Sequence, residues 1–182
     1  MKHLFLLIII FVFSNTLQAQ KNKKTKKEAS TYIIDSSKVS SLDHIIKTFY
    51  KTLSAEKDKE QHWKQFRSLF KKEAKLIVSF KHKEDKYEVK YMSPDLYEKN
   101  SKTWLKANGF ILKEINRKVD TYNNMAQVFS SFESYHSQKD KQPFMRGIYS
   151  MQLFNDGKRW WIVNLYWTNE NKLNPIPKAY LP

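Results

Sequence analysis

Few side chains in this sequence have the type and spacing to carry out chemistry. His44, His62, His82 and His136 are far apart, with no His-x-His or His-x-x-x-His spacing, so no metal-ligand set is predicted. No cysteine is present, which excludes a thiolate nucleophile, a disulfide framework and a lipid-modified Cys anchor. The glycines are Gly109, Gly147 and Gly157, too few and too scattered for a phosphate-cradling loop. Ser130 and Ser131 fall in the middle of a predicted strand, not on the strained elbow a serine nucleophile needs. Carboxylates remain: Glu114 and Glu133 lie on consecutive predicted strands and would act as bases if a dry site raised their pKa. Glu133 can also pair with Arg146 on the next strand, and such pairs are more often structural than catalytic. No catalytic residue, metal or cofactor is therefore assigned.

The element that must position these groups is a ribbon at residues 146–167. It reads RGIYSMQLF, NDGK, RWWIVNLYW: two apolar and aromatic runs around an Asn-Asp-Gly turn. Upstream, Leu42, Ile45, Ile46, Phe49, Tyr50 and Leu53 recur at helical spacing behind a Ser40–Ser41 cap. Trp63, Phe66, Leu69 and Phe70 mark a second, shorter helix. Residues 74–80 and 87–91 read as a hairpin, and Ser93-Pro94-Asp95 opens a helix that stops at Asn108-Gly109. Strands are predicted over 110–121, 125–136, 144–154 and 159–168, and the three prolines of the last residues make 169–182 an extended tail. Helices grouped before a meander give an α+β domain over residues 40–168, with helices covering one face of an antiparallel sheet.

Two registers are open to the last hairpin. A bare two-residue loop sets Met151 opposite Ile162 and Gln152 opposite Trp161. A bulge at Gly157 sets Met151 opposite Trp161, Tyr149 opposite Val163 and Gly147 opposite Leu165. The second makes one face uniformly apolar and is preferred on that ground, because a one-residue slip exchanges the faces. It puts Trp161, Val163, Leu165 and Trp167 in an outward apolar row, a candidate homodimer face or a seat for Ile176 and Tyr180 of the tail.

Export is expected. Lys2 and His3, the apolar run 4–13 and the small residue Ala19 form a secretory leader over residues 1–19, cleaved near Ala19. Ten apolar residues are too few for a membrane span, which needs about 20, so no transmembrane span is expected after cleavage. Residues 20–39 are a Lys-rich tether without apolar periodicity. The formal charge of +15 includes only four Arg among 33 basic residues, which argues against specific nucleic-acid binding and leaves loose attraction to anionic polymers.

From residue 40 to 168 the chain resembles the nuclear transport factor 2-like (SnoaL-like) superfamily. The resemblance rests on the opening helix, the meander and a last hairpin of the form Asp-Gly-x-Trp-x-Ile, here DGKRWWI. The stretch RGIYSMQLFNDGKRWWIVNLYW is also similar to a subgroup of secreted bacterial proteins of unknown function. The resemblance implies a cone of curved antiparallel sheet wrapped around the N-terminal helices, open at one end. It also implies that Trp160 and Ile162 point into that cone and that Asn164 and Tyr166 line its pocket, with Arg146, Ser150 and Gln152 on the same face. Glu114 and Glu133 would then be interior acids. Members often carry His where this chain has Tyr166, which counts against acid–base chemistry. The fold hosts isomerases, dehydratases, hydrolases and non-catalytic modules, so it leaves activity open. The expected function is an exported module that binds a small apolar or amphipathic ligand, or a partner protein, in or on its cone. The alternative is an isomerase, dehydratase or hydrolase using an interior carboxylate.

Overall fold

A computed structural model describes residues 35–81 and 86–182. The predicted leader, the tether up to residue 34 and His82 lie outside the described residues. None of the described helices is long and apolar enough to cross a membrane.

A short element precedes the expected Ser40–Ser41 cap. Asp35 caps a 3-10 turn at Ser36–Lys38, and Val39 is fully buried in the apolar core, its carbonyl accepting from Trp160 N at 2.9 Å. Helix α1 (Leu42–Leu53) starts where Ser41 Oγ accepts from His44 N at 3.1 Å, and it buries Ile45, Ile46, Phe49, Tyr50 and Leu53. Helix α2 is a single short stretch, Trp63–Arg67. Leu69 and Phe70, expected to extend it, leave the helix instead, and β1 (Phe70–Lys81) begins four residues sooner than predicted. The reason is tertiary pairing: Leu69 O accepts from Ile162 N at 2.9 Å. β2 (Tyr87–Met92) is followed by α3 (Pro94–Asn108), which Ser93 caps and Gly109 ends at φ 72°.

The long strands are β3 (Ile111–Tyr122), β4 (Met125–Tyr135), β5 (Met145–Asn155) and β6 (Trp160–Asn169). They join β1 and β2 in one sheet of order β2-β1-β6-β5-β4-β3. The sheet is not purely antiparallel: β1 runs parallel to β6, which brings the early hairpin beside the late one. Bulges in β1, β3 and β6 bend it around the helices. The architecture is the α+β cone that the resemblance implied.

Neither expected hairpin register is observed. Asn155 pairs with Trp160 across a four-residue loop, and Phe154 pairs with Trp161. The irregularity lies inside β6: Leu153 pairs with Ile162 but Gln152 with Asn164, leaving Val163 unpaired. Met151 therefore faces Leu165 and Tyr149 faces Trp167. Gly157 has a positive φ of 89°, and the turn is held by Asp156 Oδ1 accepting from Lys158 N and Arg159 N. The inner face of the sheet carries Val128, Phe132, Tyr149, Met151, Leu153, Ile162 and Leu165, all buried against the helices.

Candidate functional site

The cone interior is where a ligand was expected, and it is packed. Phe49 meets Tyr149 edge-on with centroids 5.3 Å apart, and Tyr149 stacks on Phe132 at 4.4 Å. Phe66 lies against Phe49, Phe70 and Tyr97. The space left among Phe49, Leu53, Phe66, Tyr97, Tyr149, Leu165 and Trp167 is about 10 Å³, at the lower limit for one water.

Of the two acids placed inside by the resemblance, Glu114 is on the inner face and Glu133 is on the outer one. A bulge at Ile115 sets Glu114 and Arg117 on the same side. Arg117 Nε donates to Glu114 Oε1 at 2.8 Å, and Ser130, wholly buried, donates to the same carboxylate. Having spent its proton there, Ser130 accepts from Tyr50 OH at 2.7 Å. Asp43 on α1 closes the array, bonded to Lys47 at 2.9 Å and to Arg117 at 3.3 Å. Burial first, and Glu114 second, push the Tyr50 hydroxyl far up. Burial also pushes Tyr97 up to about 12 and Tyr149 well above its ordinary value. These hydroxyls stay protonated at neutral pH. The array joins α1 to β3 and β4 through hydrogen bonds.

The bulge at Val163 relocates most of the remaining candidates. Trp160 and Ile162 face the core as the resemblance implied, but beyond Val163 the alternation reverses. Asn164 and Tyr166 consequently join Arg146 and Ser150 on the outer face, away from Glu114. Trp161, Val163, Leu165 and Trp167 do not form one row. Leu165 is 2% exposed, and Trp167 packs inward on Tyr97 and Tyr149. Trp161 is outside, bonding Asp156 Oδ2 through Nε1 at 2.7 Å beneath Arg159.

On the outer face Arg146 sits between Glu133 and Glu170, 3.5 Å from each. Glu133 accepts from Tyr135 OH at 2.6 Å, and Glu170 accepts from Ile176 N at 2.8 Å. The cluster holds the tail down on the sheet. Ile176 is buried, Tyr180 stacks on Phe129, and Leu181 O accepts from Asn116 Nδ2 at 2.7 Å.

Where the tail does not reach, the outer face keeps a groove of about 420 Å³. Its walls include Tyr122, Met125, Leu153, Phe154 and Val163, with Gln127 and Gln152 among them. Tyr122 is 75% and Met125 58% exposed, unusual for such side chains on adjoining strands. Gln127 Nε2 donates to Ser150 Oγ at 2.8 Å, so Ser150 orients the groove's polar flank. Lys71 Nζ sits 5.5 Å from the Phe154 ring centre and 4.5 Å from that of Trp161. Tyr50 and Ser130 carry only a helix-face and a mid-strand signal in the sequence, and Arg117 and Met125 carry no sequence signal of a site. The alternation of polar and apolar residues marks each as strand or helix surface, but the bulge that groups Arg117 with Glu114 has no local signature. His136 lies on an exposed loop, with Nδ1 3.1 Å from Asn108 O and its ring stacked on Phe144. Among the described residues no group of acids and histidines could hold a metal ion.

No model of a known protein family matches this sequence, and no curated protein is detectably similar to it. Solved structures are similar in fold. A protein of unknown function with a cystatin-like fold from Nostoc punctiforme matches with a TM-score of 0.54 at 9% identity, over 71% of this chain and 89% of that one. A proposed scytalone dehydratase from Novosphingobium aromaticivorans matches with a TM-score of 0.52 at 15% identity, over 77% and 89%. A nuclear transport factor 2-like protein of unknown function from Shewanella baltica gives 0.47 at 10%, over 71% and 91%. At these identities the likeness is one of fold alone, and it leaves activity open.

Proposed function

We propose that this chain is an exported, non-enzymatic binding module that takes a small amphipathic ligand on the outer face of its sheet and not inside its cone. The observation that carries this reading is the contrast in space: about 10 Å³ inside against about 420 Å³ in the outer groove. Small-molecule sites run from roughly 300 to 1,000 Å³, apolar with a few polar groups, and Met125, Phe154 and Val163 with Gln127 and Gln152 answer that description. Inside, Glu114 is committed to Arg117 and Ser130, and Tyr166, expected to line the same pocket, is on the other side of the sheet. Export is supported by the leader pattern at residues 1–19.

The test is titration with the fluorescent amphiphile 8-anilinonaphthalene-1-sulfonate, alongside methyl NMR. Saturable binding that shifts Met125 and weakens at least tenfold in Met125→Asp is the expected result. Met125 is mostly exposed, so the substitution leaves the fold intact. Binding that ignores Met125→Asp and shifts core methyls of Leu53 and Leu165 would place the ligand in the cone and overturn the reading.

A further inference from the structure

A second site is outlined at the loop between α1 and α2, sharing no residue with the outer groove. The loop is pinned on both sides. Asp58 N donates to Lys106 O of α3 at 2.8 Å, and His62 N donates to Thr52 O of α1 at 3.0 Å. Asp58 pays for this path with a left-handed φ of 64°, rare for a residue other than glycine. The pinning presses Gln61 inward until it is 4% exposed, and neither Oε1 nor Nε2 of its amide has a partner among the described residues. A buried amide left unmatched on both atoms is costly and uncommon. Two adjoining hollows of about 400 and 410 Å³ meet at this residue and share Glu60, Trp63 and Glu98.

The two glutamates shared by both hollows are answered within the protein. Glu98 is held by Arg67, and Glu60 is bonded to Lys106 at 3.1 Å. Gln61 leaves one donor and one acceptor unanswered among the described residues, on the single planar edge of its amide beside Trp63. We propose that this cleft binds a neutral planar ligand carrying a primary carboxamide or lactam edge, whose carbonyl accepts from Gln61 Nε2 while its N–H donates to Gln61 Oε1. The Glu60–Lys106 pair on the rim is largely exposed, contributes little to stability, and opens to admit the ligand.

Benzamide and acetophenone make the test, being alike in shape but with the N–H donor only in benzamide. In the full chain, ¹⁵N-labelled, benzamide should bind saturably and shift the Gln61 side-chain amide signal. Acetophenone should bind at least tenfold more weakly, and Gln61→Met, of equal length, should erase the preference. The same substitution should leave the melting temperature unchanged or raised, since it removes an unmatched amide. Equal binding of the two probes, no saturable shift with benzamide, or a clearly lower melting temperature for Gln61→Met would each overturn the proposal.

Discussion

Asp156 organises its turn through one carboxylate: Oδ1 accepts from Lys158 N and Arg159 N, and Oδ2 accepts from Trp161 Nε1. The Trp161 hydrogen bond first, then the two backbone donors, hold its pKa down, from 3.8 to about 2. A depressed folded-state pKa contributes stability that is present above the unfolded value and lost as pH falls through the folded one. The window is therefore about pH 4 to pH 2. Because the carboxylate is exposed, solvent screening keeps the effect below about 1 kcal/mol. Urea denaturation of Asp156→Asn should show slightly lower stability at pH 7 and a shallower loss between pH 4 and pH 2 than the parent. An unchanged acid slope would show that these hydrogen bonds contribute nothing to folding.

At the scale of elements, the deciding feature is the unpaired Val163, whose insertion sends Asn164 and Tyr166 outward and Leu165 and Trp167 inward. The elements themselves were legible in the sequence: the Asn-Asp-Gly turn, the Ser41 and Ser93 caps and the helical spacing of Ile45, Phe49 and Leu53 all act locally. The register was not. It is set by partners remote in sequence, with Trp160 N bonded to Val39 O and Ile162 N to Leu69 O, and apolar matching within the hairpin alone cannot sense them. The same limit hid the candidate groove, because the register preferred from the sequence sets Phe154 and Val163 on opposite faces, whereas the observed one brings them to one wall with Met125. Deleting Val163 leaves Gln152 opposite Asn164 and Met151 opposite Leu165 in a continuous ladder, so Leu165 and Trp167 stay inside. Inserting one alanine between Asn164 and Leu165 instead turns both toward solvent. Burying one such side chain is worth about 1.5–3 kcal/mol, so the insertion should cost several kcal/mol. Near-UV circular dichroism should show the aromatic signal collapsing in the insertion variant, whereas the deletion of Val163 should retain it.

For the whole molecule, the question is whether the cone holds a ligand or only its own core. Phe49 on α1 packs against Tyr50, Phe66 and Tyr149, and it borders the small interior cavity. A cavity of that size cannot admit even benzene, so the parent protein should not be stabilised by it. Phe49→Ala removes a fully buried ring and should cost about 3–5 kcal/mol, a large share of the 5–15 kcal/mol that holds a domain folded. The void it leaves is lined by apolar and aromatic side chains, and dry cavities of that kind take up benzene. Benzene should then raise the melting temperature of Phe49→Ala by linkage to the folded state, increasingly with concentration, and leave that of the parent unchanged. Equal stabilisation of both proteins would mean that the cone opens in solution, and the ligand site would have to be sought within it.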